Sequence, residues 1–208
     1  EGRPCGSFAE AATALIAAEG EVIETAQHET PPEQRFDEST YQGTAYPAYG
    51  WLCEVVEIEV DPDTLAVRPL RLTSVCDVGR AIHPVLCKGQ IEGGALQAIA
   101  WGYLEEIQLA NGHYRNDRLQ TYIIPTALDT PDMETVLIEN PAPNHPTGAK
   151  GVGEIPMDGG APAIVQAIEN ATGAVLDALP ASPERIHDAL CREAQHPSTQ
   201  PHREGVRP

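Results

Sequence analysis

Hydrophobic and polar residues alternate early in the chain, and this alternation predicts a β-hairpin. The alternation is strict over 56–60, which is typical of a strand with one buried face. A turn follows at Asp61-Pro62-Asp63-Thr64, where the proline fixes the backbone at the second position. A second strand is predicted over about 66–76, and it completes the hairpin.

Shorter strand signals follow in the second half of the chain. Asn111-Gly112 predicts another hairpin turn, because this pair readily adopts positive φ. The segments 121–125 and 134–139 are each predicted to be strands. The stretch 27–50 is polar and contains three prolines, so it is predicted to be an irregular loop or extended arm.

Helical signals alternate with these strands. Ser7 and Glu10 form a capping box, which predicts a helix to about Glu19 that packs on one face. Further helices are predicted over 161–172, closed by Gly173, and from Ser182-Pro183-Glu184 onward. The predicted fold class is therefore α+β, with a hairpin-rich mixed sheet and flanking helices.

A fourth helix, predicted over about 85–104, contains an unusual group of glycines. Gly89, Gly93 and Gly94 each cost up to about 1 kcal/mol relative to alanine in a helix. Either tight packing of another backbone or the approach of a ligand has to offset that cost, and the residues alone leave both explanations open.

Composition and charge exclude several functional classes. Hydrophobic residues make up 41% of the chain, enough for a buried core. The net charge of −18 argues against binding to nucleic acid or to an anionic membrane surface. No apolar run is long enough for a membrane span. The N-terminus shows no initiator methionine and no signal-peptide pattern, which suggests a fragment, a processed product or one piece of a split subunit.

The five cysteines are scattered and include no C-x-x-C pair. An iron–sulfur cluster or a structural zinc site built from this chain alone is therefore not expected. Sparse, unpaired cysteines are typical of reduced thiols in a cytoplasmic protein. The segment 191–208 lacks periodicity and is predicted to be a disordered tail.

The segment Gly148–Glu154 is the strongest candidate for chemistry. Its glycines allow close backbone approach to a ligand, and Lys150 supplies a cation. Glu154 precedes an apolar stretch, so partial desolvation could suit it to general-base work. The alternative is an ordinary glycine-rich turn that carries a solvated pair of Lys150 and Glu154. The spacing does not match a phosphate-binding loop of the Walker type.

The loop Gly148-Ala149-Lys150-Gly151-Val152-Gly153-Glu154 resembles the glutamate-bearing loop of the xanthine dehydrogenase/aldehyde oxidase family of molybdenum hydroxylases. Other segments resemble this family in the same order, and together they extend over roughly 5–190. They are the hairpin 57–64, Asp77-Val78-Gly79, the helix segment 89–97 with Glu105-Glu106, the segment 122–126 and the segment 179–185. The resemblance implies that 1–190 is the C-terminal portion of a molybdopterin-binding domain.

The resemblance also implies roles for individual residues. Glu154 matches the glutamate that acts as general base to a metal-bound oxygen during hydroxylation of an electron-poor carbon. Gln90 matches a glutamine that hydrogen-bonds the molybdenum–molybdopterin cofactor, and Lys150, Gly151 and Gly153 match the loop beside the pterin. None of these residues is expected to ligate the metal directly.

Two departures from the family pattern matter for function. His83 stands where the family usually has asparagine, so it is either a ligand contact or, more simply, a loop or core histidine. Ile155-Pro156 follows Glu154 where many members have two prolines, a variant that favours an N-heterocycle such as a purine or nicotinate-like ring as substrate. An aldehyde oxidoreductase with the same centre remains an alternative.

The resemblance covers only part of the family's large subunit. It implies partners: an N-terminal molybdopterin-binding portion or subunit, an iron–sulfur subunit, and in many complexes a flavin subunit that carries FAD. The chain would then be active only in the complex and would present a large, apolar interface. The other reading is a non-catalytic structural fragment that keeps the fold without the cofactor.

Overall fold

The structure is a computed structural model, and it describes residues 6–27 and 35–195. These residues form two compact units, one within Glu1–Pro47 and the other within Ala48–Pro208. The structure does not test the prediction that 1–190 forms one portion of a single domain.

The first unit contains the predicted N-terminal helix, α1, over Phe8–Glu19. The capping box is confirmed, because the Ser7 hydroxyl accepts from the Glu10 amide and the Glu10 carboxylate accepts from the Ser7 amide. The predicted packing face is wrong: α1 buries none of its residues among the described parts of the chain. Alanines occur on all sides of α1, so its apolar side chains are not concentrated on one face that could be buried. Two short strands, β1 (Phe36–Asp37) and β2 (Gln42–Gly43), pair antiparallel within the stretch predicted to be irregular.

The second unit is built on the predicted hairpin. Strand β3 (Trp51–Val60) pairs antiparallel with β4 (Val67–Asp77), and the Asp61 carboxylate accepts the amides of Asp63 and Thr64 in the connecting turn. Strand β3 begins at Trp51, five residues before the alternating segment 56–60.

The chain then crosses over one face of this sheet. Helix α2 (Pro84–Tyr103) follows β4, and strand β7 (Asp132–Ile138) returns parallel to β4, which gives the sheet order β3-β4-β7. Between them, β5 (Leu109–Ala110) and β6 (His113–Tyr114) form the hairpin predicted at Asn111-Gly112, and both turn residues have positive φ.

The predicted strand over 121–125 is wrong. The amides of Thr121 and Tyr122 both donate to the carbonyl of Arg118, so they close a turn and are not available to a strand ladder. The Tyr122 hydroxyl donates to Glu105, which fixes this turn beside the end of α2.

Two further helices complete the second unit. Helix α3 (Gly160–Thr172) ends at Gly173 in the left-handed region, as predicted, and helix α4 covers Pro183–Gln195. Helix α4 continues past Cys191 to Gln195, so the predicted tail begins at least five residues too early. The rest of the predicted disordered segment, 196–208, lies outside the described residues.

The core lies between the sheet and helices α2, α3 and α4. Gly102 and Gly160 bring α2 and α3 together, since a Cβ at Gly102 would lie 2.3 Å from Ile164 Cγ2 and one at Gly160 would lie 2.7 Å from Ala98 Cβ. The central side chains of the core are fully buried: Leu72, Ile99, Ile164, Ile168 and Ile186. This core holds the start of α2 at the end of the sheet where β4 finishes, and the candidate site lies there.

Candidate functional site

The glycine-rich loop is anchored to the end of β4 by backbone pairing. The Lys150 amide donates to the Val78 carbonyl at 3.0 Å, and the Arg80 amide donates to the Gly148 carbonyl at 2.9 Å. Gly79 permits this approach: its φ is +63°, and a Cβ there would lie 2.4 Å from the Gly148 carbonyl oxygen. Segments 78–80 and 148–150 therefore form a tight antiparallel clamp.

A buried ion pair reinforces the clamp. Lys150 Nζ lies 2.7 Å from Asp77 Oδ2, and the two side chains are only 8% and 7% exposed. The other oxygen, Oδ1, accepts the Gly79 amide at 2.9 Å, and Asn140 also donates to Oδ2. Burial by itself acts to raise the pKa of Asp77, but the hydrogen bonds from Lys150, Gly79 and Asn140 outweigh it, and the pKa is lowered. The alternative of a solvated Lys150–Glu154 pair is wrong.

Helix α2 reaches the loop through Gln90. Its side-chain amide donates to the Gly153 carbonyl at 2.7 Å, so the structure brings together two residues that lie 63 positions apart in the sequence. Gly94, one turn further along α2, packs on Pro156, where an added Cβ would lie 3.0 Å from Pro156 Cβ. These contacts fix the backbone of 153–156 against the helix.

The surface beside these contacts is bare backbone. A Cβ added at Gly89, Gly93, Gly151 or Gly153 would meet nothing within 4 Å. Among the described residues, the amides of Gly151, Val152, Gly153 and Glu154 donate no hydrogen bond. The loop thus offers a run of free backbone donors next to Gln90. Of the two explanations left open by the sequence, close packing accounts for Gly94, whereas Gly89 and Gly93 face open space.

Glu154 lies at the end of this run, before a short 3-10 helix over Ile155–Met157. Its side chain is exposed on this chain and has no described hydrogen bond or ion pair, so the partial desolvation predicted from the sequence is not supplied by the described residues. Ile155 and Pro156 are turned inward instead, and Pro156 is buried.

The structure assigns His83 a local role. It is the N-cap of α2, and its Nδ1 accepts the Leu86 amide at 3.3 Å. This capping favours the simpler of the two readings, a loop histidine, over a ligand contact.

Two residues near the site are not predicted by the sequence. Asp77 belongs to a segment that resembles the family, but nothing in the sequence shows that it holds Lys150. Glu54, on the inward face of β3, accepts from the Ser74 hydroxyl at 2.9 Å, while its other oxygen is buried and has no partner among the described residues. Desolvation, together with nearby Asp158, raises the pKa of Glu54. A charged residue at an inward position of an alternating strand is the signal that could have found it.

The described residues contain neither a cluster of metal-ligating side chains nor a membrane-spanning helix. No group of three or more potential metal-ligating side chains occurs there. None of the described helices combines the length and apolar character needed to cross a bilayer.

Comparison with known proteins places this architecture in a family. Residues 2–131 match the family of the molybdopterin cofactor-binding domain. The chain is 35% identical over 144 residues to the xanthine dehydrogenase molybdenum-binding subunit of Escherichia coli, covering 68% of this chain and 19% of that protein.

Solved structures give the same result. Quinoline 2-oxidoreductase from Pseudomonas putida 86 matches with a TM-score of 0.61 and 35% identity, over 65% of this chain and 18% of that chain. The aldehyde oxidoreductase of Desulfovibrio gigas matches with a TM-score of 0.66 and 30% identity, over 74% and 17% of the two chains. This chain therefore spans about a fifth of the length of the relatives it matches, and it belongs to the molybdopterin cofactor-binding family of the xanthine dehydrogenase/aldehyde oxidase type, of whose large subunit it represents a part.

Proposed function

We propose that this chain is the glutamate-bearing part of a molybdenum hydroxylase, with Glu154 as the general base, and that the complete enzyme hydroxylates an electron-poor carbon of an N-heterocycle. The single observation that carries the proposal is the bare surface beside Gln90. There, four consecutive backbone amides that have no acceptor among the described residues lead directly to an exposed carboxylate that has no partner among those residues.

This surface fits a molybdopterin group. A polar, multi-ringed cofactor needs neutral donors and close backbone approach, and glycines without neighbours within 4 Å supply both. Gln90, Gly151 and Gly153 would hold the cofactor, with Gln90 also fixing the loop through its hydrogen bond to Gly153. Lys150 has a supporting role, because its ammonium is held by Asp77 and only its backbone belongs to the loop surface. When bound, the cofactor supplies the two-electron oxidation of the substrate carbon.

The role of this chain in that reaction is to accept a proton. The Glu154 carboxylate is not neutralised by any described cation, so it is free to take the proton released as oxygen adds to the substrate carbon. Water has to be excluded for this transfer to be efficient, and since Glu154 is exposed here, the covering surface has to come from other segments of the enzyme.

The substrate class and the partners are also part of the proposal. Two of the similar proteins are named for N-heterocycles, quinoline and xanthine, which supports the preference drawn from Glu154-Ile155-Pro156. The similarity to an aldehyde oxidoreductase supports an aldehyde as the second candidate substrate. Electrons would leave through iron–sulfur clusters, and in some complexes through FAD, on partner chains. A cytoplasmic location is supported by four free cysteines among the described residues.

The test uses the complex purified from its native host with co-purifying chains retained. Molybdenum and iron are measured by mass spectrometry, and hydroxylation is assayed with N-heterocycles and aldehydes. E154Q is expected to keep its molybdenum and to lose roughly 10²–10⁴-fold in hydroxylation rate. E19Q, which removes a carboxylate at the end of α1, serves as the control and should keep the normal rate.

Normal hydroxylation by E154Q would contradict the role given to Glu154. Absence of molybdenum despite intact partner chains would instead favour a non-catalytic structural fragment.

A further inference from the structure

The three-stranded sheet has a second face, opposite the helices, and half of that face is apolar. Strand β3 turns Val56 and Ile58 toward the core and therefore turns Trp51, Cys53 and Val55 outward. The strand register places further apolar residues beside them on the same face. Together they define the outer apolar patch: Trp51, Cys53, Val55, Val75, Val136 and Ile138. Polar residues border it, since Asp77 lies between Trp51 and Ile138, and Thr73 and Glu134 complete the row of Val55.

Most residues of this patch are exposed on the chain, and Val75 is half-buried. Trp51 is 72% exposed, Val55 56%, Ile138 47% and Val136 40%. Single exposed apolar residues are ordinary, but a contiguous group that includes a tryptophan on adjacent strands marks an interaction surface.

The same outward face changes character along the strands. Beyond Val55 its residues are charged: Glu57, Arg71 and Asp132 form one row across the strands, with Arg71 and Asp132 paired at 3.0 Å, and Glu59 pairs with Arg68. The polar half is suited to water and the apolar half to a covering protein surface. The apolar half lies at the Asp77 end of the sheet, since Trp51 and Ile138 are register partners of Asp77.

The local sequence carries the same signal. Trp51-Leu52-Cys53 and Val136-Leu137-Ile138 are continuous apolar runs, whereas the polar half of β3 alternates strictly. Continuous apolar runs are typical of strands covered on both faces, and alternation is typical of strands with one face in water. Residues Leu52 and Leu137 face the core, so the described residues of the second unit supply the cover for only one face of these strands.

We propose that the outer apolar patch is the docking surface for the remaining part of the molybdenum-binding subunit. The chain covers about a fifth of the length of its relatives, so four fifths of such a subunit lies outside it. The patch begins at the register position of Asp77, which anchors the glycine loop, so a body seated on it would lie at the same end of the sheet as that loop. The inference rests on the proposed function, because it takes the chain to work within a complete molybdenum subunit.

The first experiment probes the patch in the native complex by labelling cysteines that this chain already contains. Cys53 lies in the patch, and Cys191 lies on α4; both are exposed on the chain. The complex is treated with N-ethylmaleimide, and the labelling rate of each thiol is compared with its rate after unfolding. Cys53 is expected to be slowed at least about tenfold more than Cys191, because an interface core excludes water and reagent. Equal labelling of the two thiols would overturn the proposal.

A pair of variants identifies the covering body. V55K and E57K place the same charge on the same face of β3, two residues apart, in the apolar and the polar half respectively. V55K is expected to speed the labelling of Cys53 in the complex by about tenfold or more, and to release the rest of the molybdenum subunit where that part is a separate chain. E57K should change neither, with unchanged circular dichroism for both. If V55K instead dissolves a homo-oligomer and leaves that partner bound, a second copy occupies the patch and the proposal fails.

Metal analysis separates this inference from the proposed function. A complex that contains molybdenum and hydroxylates substrate but labels Cys53 freely would overturn the docking surface alone. A complex without molybdenum in which Cys53 is protected, and V55K releases the partner, would support the docking surface and overturn the proposed function.

Discussion

The buried pair Asp77–Lys150 provides the sharpest test of how the site is held together. Its atoms lie 2.7 Å apart and both side chains are almost fully removed from water. Removing one partner leaves the other charge buried without compensation, which typically costs 3–5 kcal/mol. We therefore expect K150M and D77N each to lower the free energy of unfolding by about 3–5 kcal/mol. For a chain of this size that corresponds to a fall in Tm of roughly 6–20 °C.

The double variant D77N/K150M separates the ion pair from other effects. An asparagine at 77 can still accept the Gly79 amide through its side-chain oxygen, and no uncompensated charge remains. The double variant should therefore lose less stability than the sum of the singles, by on the order of 2 kcal/mol.

The pH dependence follows from the lowered pKa of Asp77. A carboxyl whose pKa is lower in the folded state stabilises the fold above its unfolded pKa, and this stabilisation is lost as the pH falls through the folded value. The stability difference between wild type and D77N should accordingly shrink below about pH 4.

Urea unfolding of the purified full chain measures these differences. The exposed pair Arg68–Glu59 gives the matched control, and R68M should cost no more than about 1 kcal/mol. Losses for K150M and D77N as small as that for R68M, or additive losses in the double variant, would contradict a stabilising buried ion pair.

Two glycines of α2 and the half-buried Glu54 give the remaining predictions. G93A should raise the free energy of unfolding by about 0.4–1 kcal/mol, since nothing lies within 4 Å of an added Cβ, but should lower the molybdenum content of the complex. G102A, on the same helix, should lower the free energy of unfolding by about 1–3 kcal/mol, because its Cβ would overlap Ile164. Urea unfolding compares the two variants, and an equal loss of stability in both would contradict this distinction. The free energy of unfolding of the wild type should fall as the pH rises from about 4.5 through the raised pKa of Glu54. E54Q should remove this pH dependence, which is measured by unfolding at a series of pH values.

Much of the fold was predictable because local signals and tertiary packing agree. The capping box, the hairpin at 61–64, the Asn111-Gly112 turn and the left-handed Gly173 all appear where the sequence places them. The start of β3 was missed because alternation disappears where both faces of the strand are apolar. The segment 121–125 was predicted as a strand because apolar composition alone does not reveal that its amides are used in a turn.

The site was only half predictable for a related reason. The loop 148–154 and Gln90 were found from glycine content and family resemblance, and the structure brings them together. The partner of Lys150 could not be read from the sequence, because Asp77 lies 73 residues away and joins it only through the clamp between 78–80 and 148–150. Glu154 was the obvious neighbour in sequence but is not its partner in the structure.

The glycines show why the sequence alone could not separate packing from function. Each costs a similar conformational entropy, so Gly93 and Gly102 look alike in a helix. In the structure they divide by what an added Cβ would meet. One group is filled by close neighbours: Gly79, Gly94, Gly102 and Gly160. The second group meets nothing within 4 Å and lies beside Gln90: Gly89, Gly93, Gly151 and Gly153. Gly20, Gly112 and Gly173 also meet nothing, but their positive φ accounts for them. The first group is explained by packing within the chain, whereas the second has no internal neighbour to offset its cost, and a bound cofactor is the neighbour that would account for it.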